Sequence, residues 1–394
     1  MRKRNFNIFT TLANLKPWLR LSHLYIHIPF CATKCPYCDF FSLATRKWHS
    51  SFAQAVLVEA RLRSAEYNNP IRTVYFGGGT PSFPETSEIE LMLSGIKKYF
   101  TISPEAEITL EANPDDISSE KLQAWLLMGI NRLSIGVQSF SDNDLQYLGR
   151  RHNASKAKTA IEEAQKAGFN NISIDFIHGI PGSTLEIMMN NIEMAAEMRI
   201  QHLSMYSLTV EEGTALNKHI LQGKSDNIVE DFQAEMYLKS CEKAEEMGFI
   251  QYEISNFCIP GFESVHNGSY WKGAPYIGLG PSAHSFDGKK RRWNNSDLIA
   301  YMKGAEKGKI PFDCEILSAS DKYNEYLLTR LRLTEGISFR EMEKQFGVAA
   351  VDEFRKNIEH HSNPEYFVLE CNSLSLSRSG QLLSDGIIAS LMKG

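Results

Sequence analysis

Short strand-forming runs alternate with amphipathic stretches from about residue 23 to 247, and this alternation restricts the fold more than any other feature of the chain. The strand candidates lie at 24–28, 73–76, 107–111, 132–137, 172–177 and 203–208. Helical spacing of apolar residues falls between them, near 47–66, 85–99, 117–128, 154–167, 184–198 and 228–247. Successive βα units predict a parallel sheet with covering helices. A doubly wound sheet and a barrel both satisfy the pattern. Six units are too few to close a barrel of the usual kind, so a barrel would be open.

Chemistry-bearing residues collect immediately after the strands. Gly77, Gly78, Gly79, Thr80 and Pro81 follow the second, Glu111 ends the third and Gln138 follows the fourth. Asp175 sits late in the fifth, ahead of His178, Gly179, Ile180, Pro181 and Gly182, and Ser207 lies at the sixth. Parallel βα folds bind ligands at the carboxyl ends of their strands. Several strand ends therefore point to one site.

The loop after the first strand carries Cys31, Cys35 and Cys38, a C-x3-C-x2-C spacing. Three thiolates on a short loop suit three irons of a [4Fe–4S] cluster, leaving the fourth iron open to a small molecule. A structural zinc site wants a fourth Cys or His nearby, and none follows the trio. The plainer alternatives are a zinc knuckle short of one ligand and a redox dithiol of Cys35 and Cys38.

Composition narrows the field. The 394 residues are 43% hydrophobic and 23% charged, with no apolar run long enough for a membrane span. A net charge of -5 does not favour nucleic acid. Seven cysteines, an odd count with three crowded together, fit metal ligation in a reducing compartment, with the cytoplasm expected. Residues 1–20 form a basic extension with Arg2, Lys3, Arg4, Lys16 and Arg20 and no acidic residue. A loose tail and a transit peptide both fit that composition.

Four segments are expected: the extension at 1–20, a core at 21–250, an irregular Gly-, Pro- and aromatic-rich stretch at 251–318, and a small α+β domain at 319–394. In the last, three helices precede a hairpin at 366–377 and a final helix near 383–392, a winged-helix order. Ser338, Phe339, Arg340 and Glu341 read as a capping box. From residue 321 onward, 11 Asp and Glu outnumber 9 Lys and Arg, so no basic stripe recommends DNA as a partner.

The motifs together resemble a family. Tyr25, Ile26, His27, Ile28, Pro29, Phe30 and Cys31 run into Cys35, Pro36, Tyr37, Cys38, Asp39 and Phe40 as in radical S-adenosylmethionine (SAM) proteins. More narrowly they resemble the oxygen-independent coproporphyrinogen III oxidases. The glycine run at 77–79, Glu111-Ala112-Asn113-Pro114, Gly136-Val137-Gln138-Ser139 and Gly179-Ile180-Pro181-Gly182 match in the same order. The resemblance implies an open, partial (β/α)6 TIM-like barrel of radical SAM type with a winged-helix-like C-terminal domain. It implies a [4Fe–4S] cluster on the three cysteines, with SAM chelating the open iron. Tyr25, Tyr37, Gly78, Gly79, Thr80, Glu111, Gln138, Arg150, Asp175 and Ser207 match SAM-contacting positions. Among them Arg150 suits a carboxylate, which a guanidinium grips with two hydrogen bonds.

Within that family the oxidases carry a further cysteine in a C-x-C arrangement after the third ligand, where this chain has Phe40. A sister branch of heme chaperones has the phenylalanine and an H-N-x-x-Y-W signature, complete here as His266-Asn267-Gly268-Ser269-Tyr270-Trp271. The resemblance therefore implies heme as cargo, with His266 as its axial ligand and Tyr270 and Trp271 on the porphyrin face. An acceptor protein, such as a respiratory hemoprotein, is the implied partner, and a homodimer is compatible with it. The competing expectation is the oxidase itself, which decarboxylates coproporphyrinogen III through a SAM-derived radical. His178 and His284 are weaker heme-ligand candidates. Cys241, Cys258, Cys314 and Cys371 are expected to be inert thiols.

Overall fold

The protein is described here by a computed structural model covering residues 22–66 and 69–393. The basic extension and its transit-peptide reading lie outside the described residues. The first six strands are β1 (Ser22–Ile28), β2 (Ile71–Gly78), β3 (Ile102–Ala112), β4 (Arg132–Gln138), β5 (Ile172–His178) and β6 (His202–Ser207). They pair in sequence order and all in parallel. Six short strands extend them: β7 (Ile250–Glu253), β8 (Asn256–Cys258), β9 (Tyr276–Leu279), β10 (His284–Phe286), β11 (Lys290–Asn294) and β12 (Phe312–Ile316). The full order is β12-β11-β10-β9-β1-β2-β3-β4-β5-β6-β8-β7, with two separate edges, so the barrel is open as expected.

Each strand of the barrel wall sends alternate residues to opposite faces. Leu24, Ile26, Val74, Phe76, Ile108, Leu110, Leu133, Ile135, Ile172 and Ile174 are fully buried in the layer shared with the covering helices. The intervening positions are polar or aromatic: His23, Tyr25 and His27 on β1, Thr73 and Tyr75 on β2, Glu111 on β3, Ser134 on β4, Asp175 on β5. The apolar core thus lies outside the barrel wall, and the barrel interior is reserved for hydrogen-bonding groups.

The stretch 251–318 is not irregular. It supplies most of β7 to β12 and the helices Val265–Trp271 and Leu298–Glu306. Strands of three to five residues are too short for a period-2 pattern to declare itself, and β9 to β11 are held by distant charges. Glu59, fully buried on the helix His49–Arg63, accepts from Gly280 N at 2.9 Å, Asn294 Nδ2 at 2.8 Å and Tyr301 Oη at 2.7 Å. Arg63, one turn on, donates to Gly278 O and Ser285 Oγ, both at 2.9 Å. β9 then joins the parallel wall beside β1.

Residues 319 onward have a second apolar core, with Leu327, Phe354, Leu374 and Ile388 at its centre. Helices Ala319–Arg330, Phe339–Phe346 and Val348–Glu359 precede a hairpin of Phe367–Leu369 and Ser373–Leu376, and Ile337–Ser338 adds a third strand. Ser338 caps the second helix, accepting from Glu341 N at 3.4 Å. This unit docks on the barrel through an Arg291–Glu325 ion pair at 2.8 Å and a hydrogen bond of 3.0 Å from Tyr237 Oη to Gln381 Oε1.

Candidate functional site

The cysteine loop leaves β1 and is tied back at its base. Leu43 N donates to Pro29 O at 2.8 Å and Cys31 N donates to Leu43 O at 3.1 Å. Cys31 is buried, and Cys35 and Cys38 are half-buried, with Cys38 N donating to Cys35 O at 3.2 Å across a tight turn. All seven cysteines are free thiols. Burial pushes the Cys31 thiol up, and a hydrogen bond of 3.4 Å from Thr80 Oγ1 opposes it. Burial likewise raises Cys38. Arg150 Nη1 lies 3.6 Å from Cys35 Sγ and 3.4 Å from Tyr37 Oη, while its Nη2 donates to Gly136 O at 2.7 Å. Among the described residues, no three His, Cys, Asp or Glu side chains are arranged around one metal ion.

The glycine run after β2 lies against this loop. Gly79 N donates to Ile28 O at 2.8 Å and Thr80 N to Phe30 O at 2.7 Å. A Cβ on Gly79 would fall 2.7 Å from Phe30 O, and one on Gly78 would fall 2.7 Å from the His27 ring at a φ of +108°. Only glycine tolerates that approach and that conformation. Gly78 N donates to Glu111 Oε2 at 3.1 Å, and Tyr75 Oη donates to Glu111 Oε1 at 2.8 Å. Burial raises the Glu111 carboxyl to about 8; the Tyr75 hydrogen bond opposes the rise and the Asp175 charge adds to it. Asp175, also raised by burial, accepts from Ser134 Oγ at 3.3 Å. Gln138 stands at the end of β4 with φ +68°, a conformation uncommon outside glycine.

The structure therefore gathers Thr80, Tyr37 and Arg150 at the cysteines, with Gly78, Glu111, Asp175 and Tyr25 in the adjoining barrel interior. Tyr25 stacks on Tyr75, ring centroids 6.1 Å apart. Ser207 is exposed at the end of β6, in register with His178 on β5. Sequence reasoning passed over Tyr75, Ser134, His27 and the buried Arg132. The signal was available in the alternation of polar and apolar residues along each strand, which marks the inward face.

His266 is enclosed within the barrel. It is 1% exposed, packed inside the barrel against Tyr75 at 4.8 Å between ring centroids. Its Nδ1 is hydrogen-bonded with Thr73 Oγ1 at 2.6 Å and its Nε2 with Tyr270 Oη at 2.9 Å. Both nitrogens are engaged, so ligation would cost a buried hydrogen bond and the stack. The start of its helix is held by Glu107, whose carboxylate accepts from Val265 N at 3.1 Å and His266 N at 2.9 Å. His178 is buried beside Tyr237, and burial lowers it to about 4, consistent with packing.

Next to the cysteine loop, a cleft of about 900 Å³ separates the barrel from the C-terminal unit. Phe40 and Phe41 of the loop line it, as do Tyr270 and Trp271 but not His266. Among the described residues, no helix is long and apolar enough to cross a membrane.

Residues 25–195 match the radical SAM superfamily and 317–383 match the HemN C-terminal domain. The chain is 34% identical over 323 residues to the heme chaperone HemW of Lactococcus lactis subsp. lactis (strain IL1403), covering 82% of this chain and 84% of the relative. The chain belongs to the HemW family. HemW of Bacillus subtilis (strain 168) is 36% identical over 327 residues, 82% of this chain and 86% of its own. A relative from Danio rerio, radical S-adenosyl methionine domain-containing protein 1, mitochondrial, is 32% identical over 389 residues, covering 94% and 86%. The coproporphyrinogen III oxidase HemN of Escherichia coli superposes with a TM-score of 0.82 over 98% of this chain and 94% of that one. At 20% identity the likeness to HemN is one of fold, so HemW and HemN share an architecture.

Proposed function

We propose that the chain is a heme chaperone that carries a [4Fe–4S] cluster and SAM and passes heme to an acceptor protein. Membership of the HemW family, with Phe40 in place of a further cysteine, is the observation that carries the reading. Cys31, Cys35 and Cys38 hold the cluster as thiolates. Their surroundings fit that role: Thr80 donates to one sulfur and the Arg150 guanidinium lies beside another, contacts that stabilise negative sulfur. Bound there, the cluster supplies an open iron for the amino and carboxylate groups of SAM.

The remaining residues hold and orient. The backbone at Gly78 and Gly79 leaves room for close approach, Arg150 faces a carboxylate, and Glu111 and Asp175 face ammonium or ribose hydroxyl groups. Tyr25, Tyr37, Thr80, Gln138 and Ser207 complete the SAM contacts in this reading. His266 acts by positioning: it ties Thr73 on β2 to Tyr270, and so sets the wall that carries Trp271. Free thiols throughout suit a reducing compartment, the cytoplasm in our reading.

The test is anaerobic cluster reconstitution followed by two assays on the full chain. Ferric heme titration should give saturable binding, and coproporphyrinogen III should persist in the presence of SAM and a reductant. Sustained porphyrinogen turnover would replace the chaperone reading with the oxidase.

A further inference from the structure

The large sheet has two edges, and they are finished differently. β7 is capped by the C-terminal unit: Ile254 N donates to Arg332 O at 3.1 Å and Thr334 N to Tyr252 O at 3.2 Å. β12 has no strand on its outer side among the described residues, and all five of its residues are exposed. Asn295 N donates to Pro311 O at 3.3 Å and Leu317 N to Lys289 O at 2.9 Å, so Asp313 and Glu315 between them are the residues that bond to β11. Alternate residues of an antiparallel strand point their backbone the other way. Phe312, Cys314 and Ile316 therefore turn their N–H and C=O groups outward.

We propose that the outer edge of β12 is a docking site for a partner protein, which adds a strand carrying Lys or Arg opposite Asp313 and Glu315 and apolar residues opposite Phe312 and Ile316. Strand addition takes its affinity from the backbone and its specificity from alternate side chains. Both parts are present. β12 keeps an unbroken register with β11, without the bulge or proline that blunts a protected edge. Phe312 is 42% and Ile316 80% exposed. On the other face, Asp313 and Glu315 have no ion-pair partner among the described residues. The charge also decides against a second copy of the chain. A two-fold pairing of whole strands centred on Cys314 sets Asp313 of one copy opposite Glu315 of the other, and like charges directly opposite repel. The same two carboxylates select a basic strand. Cross-strand register puts them on the face that carries Trp293, Arg291, His284 and Phe286, so the partner would lie beside the cleft.

The test titrates two short fluorescein-labelled peptides, one alternating valine with lysine and one alternating valine with glutamate, into the full chain and follows anisotropy. Wild type should bind the lysine peptide saturably and the glutamate peptide about tenfold more weakly or worse. Asp313→Lys/Glu315→Lys should reverse that preference. Glu162→Lys/Glu197→Lys, the same charge change on two covering helices, should leave it within about twofold. Cys314→Pro, which removes one outward N–H, should weaken the lysine peptide about tenfold. Equal binding of the two peptides by wild type, or an unreversed preference in the charge variant, would overturn the proposal. So would binding that appears only after residues 1–20 are deleted, because the chain's own basic extension would then hold the edge. A wild-type dimer in sedimentation that Cys314→Pro dissolves would give the edge to a second copy instead.

Discussion

The barrel interior and the neighbouring cleft share the cysteine loop as a wall, yet their side chains are in opposite conditions. Inside the barrel, the central polar side chains are already paired: Glu111 with Tyr75 and Gly78, Asp175 with Ser134, His266 with Thr73 and Tyr270. In the cleft, Phe40 stands exposed, and among the described residues His284 makes no hydrogen bond and Lys322 and Lys344 have no ion-pair partner. A buried polar group must be satisfied in the empty protein or cost its desolvation, whereas a surface cleft can leave groups open to water until a ligand arrives. The barrel is thus preorganised and the cleft is completed by what enters it.

The largest effect that tests this contrast is at the loop both regions share. Cys35→Ala should abolish iron–sulfur absorbance after anaerobic reconstitution while circular dichroism stays that of wild type. Glu59→Ala, which strips the buried anchor behind the cleft wall, should destabilise the protein by about 4 kcal/mol in denaturant titration, because Gly280 N, Asn294 Nδ2 and Tyr301 Oη lose their buried acceptor. The two histidines compare the regions directly. His266→Ala should cost about 3 kcal/mol of stability, through a cavity and the orphaned Tyr270 hydroxyl, while His284→Ala should change it by about 0.5 kcal/mol or less. Equal effects from the two would erase the distinction between barrel and cleft.

Gly78→Ala should cost about 2 kcal/mol, since it combines a φ of +108° with a clash at His27, and SAM affinity should fall with it. The smallest effect is a pH dependence. Burial raises the Glu111 carboxyl from its usual 4.5 to about 8, so its neutral form favours the folded apoprotein. That contribution is full below pH 4.5 and is lost as pH climbs through about 8. A cationic ligand beside Glu111 favours the carboxylate, so SAM affinity should rise about tenfold between pH 7 and 9, measured calorimetrically. A flat profile would separate Glu111 from the SAM site.

Much of the barrel was legible because its causes are local. Strand and helix periods alternate, and the cysteines and glycines sit within a few residues of strand ends. The inward polar face was equally local, written in Tyr25 and His27 against Leu24 and Ile26, though only the wall geometry turned it into a site. The stretch 251–318 was not legible. Its strands β9 to β11 depend on Glu59 and Arg63, more than 200 residues earlier in the chain, and no window of sequence contains both partners.

The sequence by itself determined the succession of parallel βα units, the thiolate trio and the family resemblance, since each is carried by spacing and motif order along the chain. Only the tertiary structure decided which histidine is free. His266 sits in the more telling motif, but β1, β2 and the helix Val265–Trp271 close around it and engage both its nitrogens. His284 sits in plainer sequence, and the docking of β9 to β11 on a buried carboxylate leaves it facing the cleft. Accessibility is a property of the packed molecule, set by contacts between residues that the chain keeps far apart.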